Sequence, residues 1–274
     1  NINVTNFGAF SNYHAMQMSA NRRLGKSLTF GVAYTWSKVM GIAGGDGDVL
    51  HPTNFRSANY GPLFYDRTHQ MVVNYVYELP KLGEKLGNNW FSKGVLDGWV
   101  VSGLSTMSTG EPVDIGFSVA GLGGADVNRI WTGSETFGPR VAYASHPNLS
   151  RGQREIDAFI DTSVVQMPAI GSQGIDSGSR VARNPGINNW DVSLFKNIYF
   201  GDQNRFLQLR FEMFNAPNHT QFSGFNTGAQ FNRATGQVAN LPVSRGGTGG
   251  RYGFGALTGA RDPRLIQLAM KFYF

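Results

Sequence analysis

The sequence predicts an all-β chain: an antiparallel, up-and-down transmembrane β-barrel segment of about seven strands with long external loops. Three observations carry that expectation. The last eleven residues alternate, with Ile266, Leu268, Met270, Phe272 and Phe274 on one face and Gln267, Ala269, Lys271 and Tyr273 on the other. Strand side chains point to opposite faces with period two, so one face suits an apolar solvent and the other suits water. The same pattern returns in six earlier segments, and the connections between them run short, long, medium, long, short, long, with the long ones polar, as outer-membrane barrels are built.

Taken in order, the first strand spans Tyr13 to Arg23, where Met16, Met18 and Ala20 oppose Gln17, Ser19 and Asn21. After the turn Leu24-Gly25-Lys26-Ser27, the second sets Leu28, Phe30, Val32, Tyr34 and Trp36 against Thr29, Gly31, Ala33, Thr35 and Ser37, making a tight hairpin. The third, Arg67 to Leu79, places Met71, Val73, Tyr75 and Tyr77 opposite Gln70, Asn74 and Glu78, and Pro80 closes it because proline cannot donate to a ladder. In the fourth, Val95 to Thr109, the outer face is contested between Trp99, Val101 and Met107 and the pair Val100 and Leu104. The fifth, Asn189 to Phe200, presents Trp190, Val192, Leu194, Ile198 and Phe200 and reverses at Gly201-Asp202-Gln203-Asn204. The sixth, Arg205 to Phe214, sets Leu207, Leu209, Phe211 and Met213 against Gln208, Arg210 and Glu212. The terminal strand completes the series. Lys196 is the exception on the outer face and is expected near an interface, its stem buried and its ammonium reaching water.

The long connections, Met40 to Asp66, Gly110 to Asn188 and Asn215 to Pro263, read as irregular external loops. If the short turns lie on the periplasmic side, the terminal strand descends and leaves Phe274 there. Tyr34 and Trp36 at one level, and Phe272 and Phe274 at the other, suit the two membrane interfaces.

Composition narrows the function classes. Apolar runs are only a few residues long, short of the roughly 20 that a spanning helix needs, so a membrane role falls to strands. The chain has 274 residues, 15% of them charged, 36 glycines and no cysteine, which excludes disulfide scaffolds and thiolate metal sites. The net charge of +6 comes from scattered basic residues with no recognition helix, so nucleic acid is not an expected partner. The start Asn1-Ile2-Asn3-Val4 carries no initiator methionine and no signal peptide, and reads as a piece of a longer chain. An odd number of strands points the same way, with the missing part of the sheet expected before Asn1.

Candidate sites are few. Asp46 and Asp48 in Gly44 to Asp48 lack the spacing of a calcium loop, and Gly246 to Gly250 lacks the lysine and helix of a phosphate loop; both read as flexible loop. His14, His51, His69, His146 and His219 form no ligand pair, so no metal site and no cofactor is expected. His219 and Ser223 are the nearest approach to a hydrolase pair, and no enzyme is expected. Gln208, Arg210, Glu212 and Lys271 should face the interior, as the polar wall of a large barrel or as part of a solute path.

Five stretches carry a resemblance: DRTHQMVVNYVYELP (Asp66 to Pro80), LDGWVVSGLSTMSTGEPV (Leu96 to Val113), NPGINNWDVSLFKN (Asn184 to Asn197), LQLRFEMFNAPNHTQF (Leu207 to Phe222) and the terminal DPRLIQLAMKFYF. In these the chain resembles the C-terminal part of TonB-dependent outer-membrane receptors, within them the Oar-like group that carries a carboxypeptidase-regulatory-like domain. The resemblance implies that residues 1–274 are the C-terminal portion of a barrel of about 22 strands, with the plug and earlier strands absent. It implies energised solute uptake across the outer membrane of a diderm bacterium, coupled to the TonB complex through the absent N-terminal part. It also implies that Ile266, Leu268, Met270, Phe272 and Phe274 form the signal read by the barrel-assembly machinery. Other readings of the same pattern are a self-contained eight-stranded porin or adhesin, with Asn3 to Phe10 or part of a loop as the extra strand, and a secreted glycan-binding β-protein.

Overall fold

The computed structural model describes residues 8–25, 27–43, 55–86, 89–172, 178–200 and 202–274. Seven long strands form its main sheet: β1 (Ser11–Leu24), β2 (Leu28–Gly41), β3 (His69–Glu78), β4 (Trp99–Ser108), β5 (Ile187–Phe200), β6 (Asp202–Phe214) and β7 (Leu265–Tyr273). Each pairs antiparallel with the next in sequence, and the short strand Gly61–Pro62 adds to the end of β2. β1 and β7 are the two edges and do not pair with each other. The short strand pairs with β2 alone, so among the described residues the sheet is open. Most of Asn3 to Phe10 lies outside the described residues.

The register joins the seven alternations into two continuous faces. One row across the sheet reads Leu24, Leu28, Tyr77, Val101, Leu194, Phe211, Leu268. The row beside it, on the opposite face, reads Arg23, Thr29, Val76, Ser102, Ser193, Glu212, Gln267. Because the period is two, a slip of one residue in any pairing would exchange these faces. The row also moves from the end of β1 to the middle of β7, the stagger that tilted barrel strands require.

β4, where the pattern is contested, is decided by its neighbours. Pairing puts Trp99, Val101, Gly103, Ser105 and Met107 in the apolar rows and Val100, Ser102, Leu104, Thr106 and Ser108 in the other. Gly103 lies opposite Tyr75, and a Cβ there would stand 2.4 Å from the tyrosine hydroxyl. The strand lacks apolar bulk at this point because an aromatic ring from β3 covers it.

Lys196 is in the apolar row, as the alternation requires, yet it is buried at 7% exposure. Its ammonium donates to the Asp97 carbonyl at the foot of β4 and stands 5.3 Å from the centre of the Trp99 ring. It thus reaches polar backbone at the strand end rather than hydrocarbon. Leu209 pairs with Lys196 and so lies toward that end, whereas Leu194 sits mid-strand.

The described parts of the connections confirm their two ends. β1–β2 and β5–β6 close in tight turns, and β3–β4 is bridged by two short helices, α1 (Leu82–Leu86) and α2 (Trp90–Leu96). The three long connections emerge together at the other end.

We expect Leu194→Arg to cost about 2–4 kcal/mol in lipid, the range for a cation at the midplane of a barrel's outer face. Gln267→Arg, on the opposite face beside Glu212, should change stability by no more than about 0.5 kcal/mol. Denaturant unfolding from vesicles checks both, and equal effects would contradict the assignment of faces.

Candidate functional site

At the long-loop end, residues expected to be irregular pack into a cap with its own core. Ile115, Val141, Phe159, Ile160, Val165 and Ala182 from the second long connection are buried against Phe225, Ala229, Phe231, Phe254 and Leu257 from the third. Four short strand pairs frame the core, among them Gly116–Val119 running parallel to Gly228–Phe231 and Phe222–Phe225 antiparallel to Leu257–Ala260. A helix, α3 (Gly124–Thr132), turns Val127 and Trp131 inward; the Trp131 ring meets Phe117 at 5.2 Å and its indole donates to the Pro168 carbonyl at 2.9 Å. Each four-residue strand is too short to show a period in sequence, and its partner lies in another loop.

This corrects the reading of Gly246 to Gly250 as flexible. A Cβ on Gly247 would meet the Leu241 carbonyl oxygen at 2.1 Å, and one on Gly249 would meet that of Asn240 at 2.1 Å. Glycine is used here for close backbone approach, and both N–H groups bond back to the chain, at Pro242 and Leu241. Asp46, Asp48 and His51 lie outside the described residues. Among those described, no three His, Asp or Glu side chains gather as a metal site would need.

Two polar latches tie the cap to the strand rim. Asp66, fully buried, accepts from the Val39 N–H of β2 at 2.7 Å and from the Arg183 guanidinium at 2.5 Å; Arg183 also donates to the Gly110 carbonyl at 2.9 Å. Beside it Arg67 pairs with Glu111 at 2.7 Å, and Asn184 donates to the other Glu111 oxygen at 3.1 Å. The second latch lies where β5 begins and β6 ends. Asp191 accepts from Asn189 at 2.8 Å and from the Asn215 N–H at 3.0 Å, while Gln221 bonds Asn189 and the Asn188 N–H. Asn215 and Asn218 adopt positive φ, 50° and 53°, in the tight turn that leaves β6, and the Asn218 side chain accepts from the Arg264 N–H at 3.0 Å. These latch residues fall largely within the stretches that carry the family resemblance. Read singly, each was only polar sequence at a strand end.

The first long connection joins the same assembly. Arg140 donates to the Ala58 carbonyl and to Asn59 Oδ1, and Arg180 donates to the Pro62 carbonyl while its N–H meets Asp114. Burial holds the Arg140 guanidinium below its ordinary pKa, with Asp114 opposing and Arg180 reinforcing the shift. Burial, aided by Asp114, pushes the Tyr143 phenol well above its usual value. At the cap surface Arg245 clamps Glu155 and Asp157, and Ser244 donates to Asp157 at 2.6 Å. Bonds from Arg245 and then Ser244 lower the Asp157 carboxyl to about 2.

The four interior candidates come together on β6 and β7. Arg210 donates to Gln208 at 2.6 Å and to the Tyr273 hydroxyl at 3.3 Å, and lies 5.2 Å over the Phe195 ring. Gln208 passes the chain on to Asn197 at 2.9 Å and faces Lys271 across the ladder; Glu212 faces Gln267. The result is a polar wall with one guanidinium at its centre. Ile266, Leu268, Met270, Phe272 and Phe274 are exposed on the apolar side of the edge strand, with Phe272 stacked 6.0 Å from Phe274. His69 bonds the Tyr34 hydroxyl at 2.8 Å, and the bond found at His219 is made through its carbonyl.

Arg183→Ala should leave a buried carboxylate uncompensated at about 3–5 kcal/mol and make residues 110–186 cleavable in limited proteolysis. The Asp157–Arg245 clamp has a depressed carboxylate, so its stabilisation is full above the ordinary aspartate range and is lost as pH falls through about 2. In Arg245→Ala the Asp157 carboxyl should titrate higher, yet stay below its ordinary value because the Ser244 bond remains, as followed by carbonyl NMR.

Comparison with known proteins adds one positive finding. A family model described as "Outer membrane beta barrel domain" matches residues 1–267. No curated protein matches the chain, and no solved structure matches it.

Proposed function

The chain belongs to the outer membrane beta-barrel domain family and lies in the bacterial outer membrane, and from that premise we propose that it forms part of the wall of a TonB-dependent transporter for energised solute uptake. The observation that carries this reading is the pair of open edges. Hydrocarbon offers no partner for a backbone N–H or C=O, so a spanning sheet has to close, while β1 and β7 lack each other. Further strands on both edges complete the ring in this reading, and a ring of that size leaves a lumen wide enough for a plug.

The roles within such a transporter follow from placement. The latched cap meets the solute outside, and the wall of Gln208, Arg210, Glu212 and Lys271 faces the plug or the passing solute. The alternating residues Ile266 to Phe274 offer the assembly machinery an apolar edge ending in an aromatic. Coupling to TonB would come through the N-terminal part of the whole protein.

Reading the coding sequence upstream of Asn1 tests the proposal. The expected result is a plug domain and about fifteen further strands, completing the total of about 22. An initiator methionine and signal peptide immediately before Asn1 would overturn it in favour of a small self-contained barrel.

A further inference from the structure

The α1–α2 connection at the short-turn end carries a helix with its faces inverted for water. On α2, Trp90, Phe91, Gly94 and Val95 fall on one arc at 100° per residue, and all four are exposed, Trp90 at 85% and Phe91 at 63%. The half-buried side is the one carrying Ser92 and Leu96. Ser92 packs on α1, its hydroxyl donating to the Gly83 carbonyl at 3.2 Å, while Asn89 caps the Ser92 N–H at 2.7 Å. A helix folding against its own protein in water would turn the aromatic arc inward.

The end of this helix is continuous with the lipid-facing side of the sheet. The Trp99 indole, in an apolar row, donates to the Val95 carbonyl at 2.8 Å, and Lys196, in the same row, donates to the Asp97 carbonyl just after the helix. Asp97 in turn accepts from the Gly83 N–H at 2.7 Å, locking the two helices to the foot of β4. The aromatic arc is thereby held at the level where the apolar band of the wall ends. Lys81 and Lys93 are exposed on the same connection.

We propose that α2 is an interfacial anchor, laying Trp90, Phe91 and Val95 into the phospholipid headgroup layer of the leaflet at the short-turn end. Tryptophan favours that boundary, and an amphipathic helix with lysines beside its apolar face lies in the membrane plane. The anchor fixes the depth of the sheet at one end, with Lys196 and Trp99 as its inner contacts. It depends on outer-membrane residence and not on the transporter reading.

The chain contains no cysteine, so single-site labelling tests the inference. A Cβ at Gly94 would meet open space within 4 Å, so Gly94→Cys is made in the full chain and labelled with bimane. The protein is reconstituted in phosphatidylcholine–phosphatidylglycerol vesicles; Trp90→Cys serves as a second site and Thr235→Cys in the cap as reference. The expected result at both helix sites is at least threefold stronger quenching by a lipid with a nitroxide high on its acyl chain than at residue 235, with at least threefold protection from iodide. Iodide access equal to that at residue 235 overturns the proposal. So does protection from iodide without nitroxide quenching, which would mean that a second copy or another protein covers the helix.

Discussion

The constraint on which this structure depends is that strands in hydrocarbon must satisfy their backbone groups against each other while showing lipid only apolar side chains. Between the strands that pair, both demands are met by one register, and only the outer edges of the first and last strands stay open. The row from Leu24 to Leu268 stays apolar across all seven strands, and the row beside it stays largely polar. Where a residue breaks the rule, a neighbour compensates. Gly103 sits beneath the Tyr75 ring, and Lys196 finds a carbonyl at the strand foot.

The cap obeys a different logic. Its core is apolar and largely hidden from water, so it holds together as a soluble domain does, yet it has to be fixed to a wall whose apolar side faces the membrane. Fixing is done with buried polar bonds at the rim. Asp66 reaches a β2 amide and an arginine from the far end of the second long connection, and Asp191, near the start of β5, holds the amide of Asn215 just past β6. Such bonds are directional, so they set where the loops leave and return, which a hydrophobic contact would not. Among the described residues, Arg140, Arg180, Arg183 and Arg245 hold these loops to one another.

At the opposite end the molecule needs less. Two connections are tight turns, and the third is a pair of short helices whose aromatic arc lies outward. The contrast between a latched cap on one side and a Trp- and Phe-bearing helix on the other gives the two membrane faces of the sheet distinct chemistry, although the strands between them are alike.

Residues determined a good deal of this unaided. The seven strands, their order of short and long connections, the outward sets such as Met71, Val73, Tyr75 and Tyr77, and the grouping of Gln208, Arg210, Glu212 and Lys271 on one side were legible, because strand alternation is local and survives in sequence; the exception is the start of the fourth, expected at Val95, where Val95 and Leu96 instead end a helix and the strand begins at Trp99. The faces of β4 were not, since Trp99, Val100, Val101 and Leu104 fit two phases and only pairing with β3 and β5 selects one. Nor was the cap. Its strands are too short to hold a period, and Asp66 and Arg183 lie 117 residues apart, so nothing local marks them as partners. Lipid-facing sides are written residue by residue in the chain; loop packing and buried ion pairs arise only when distant segments meet.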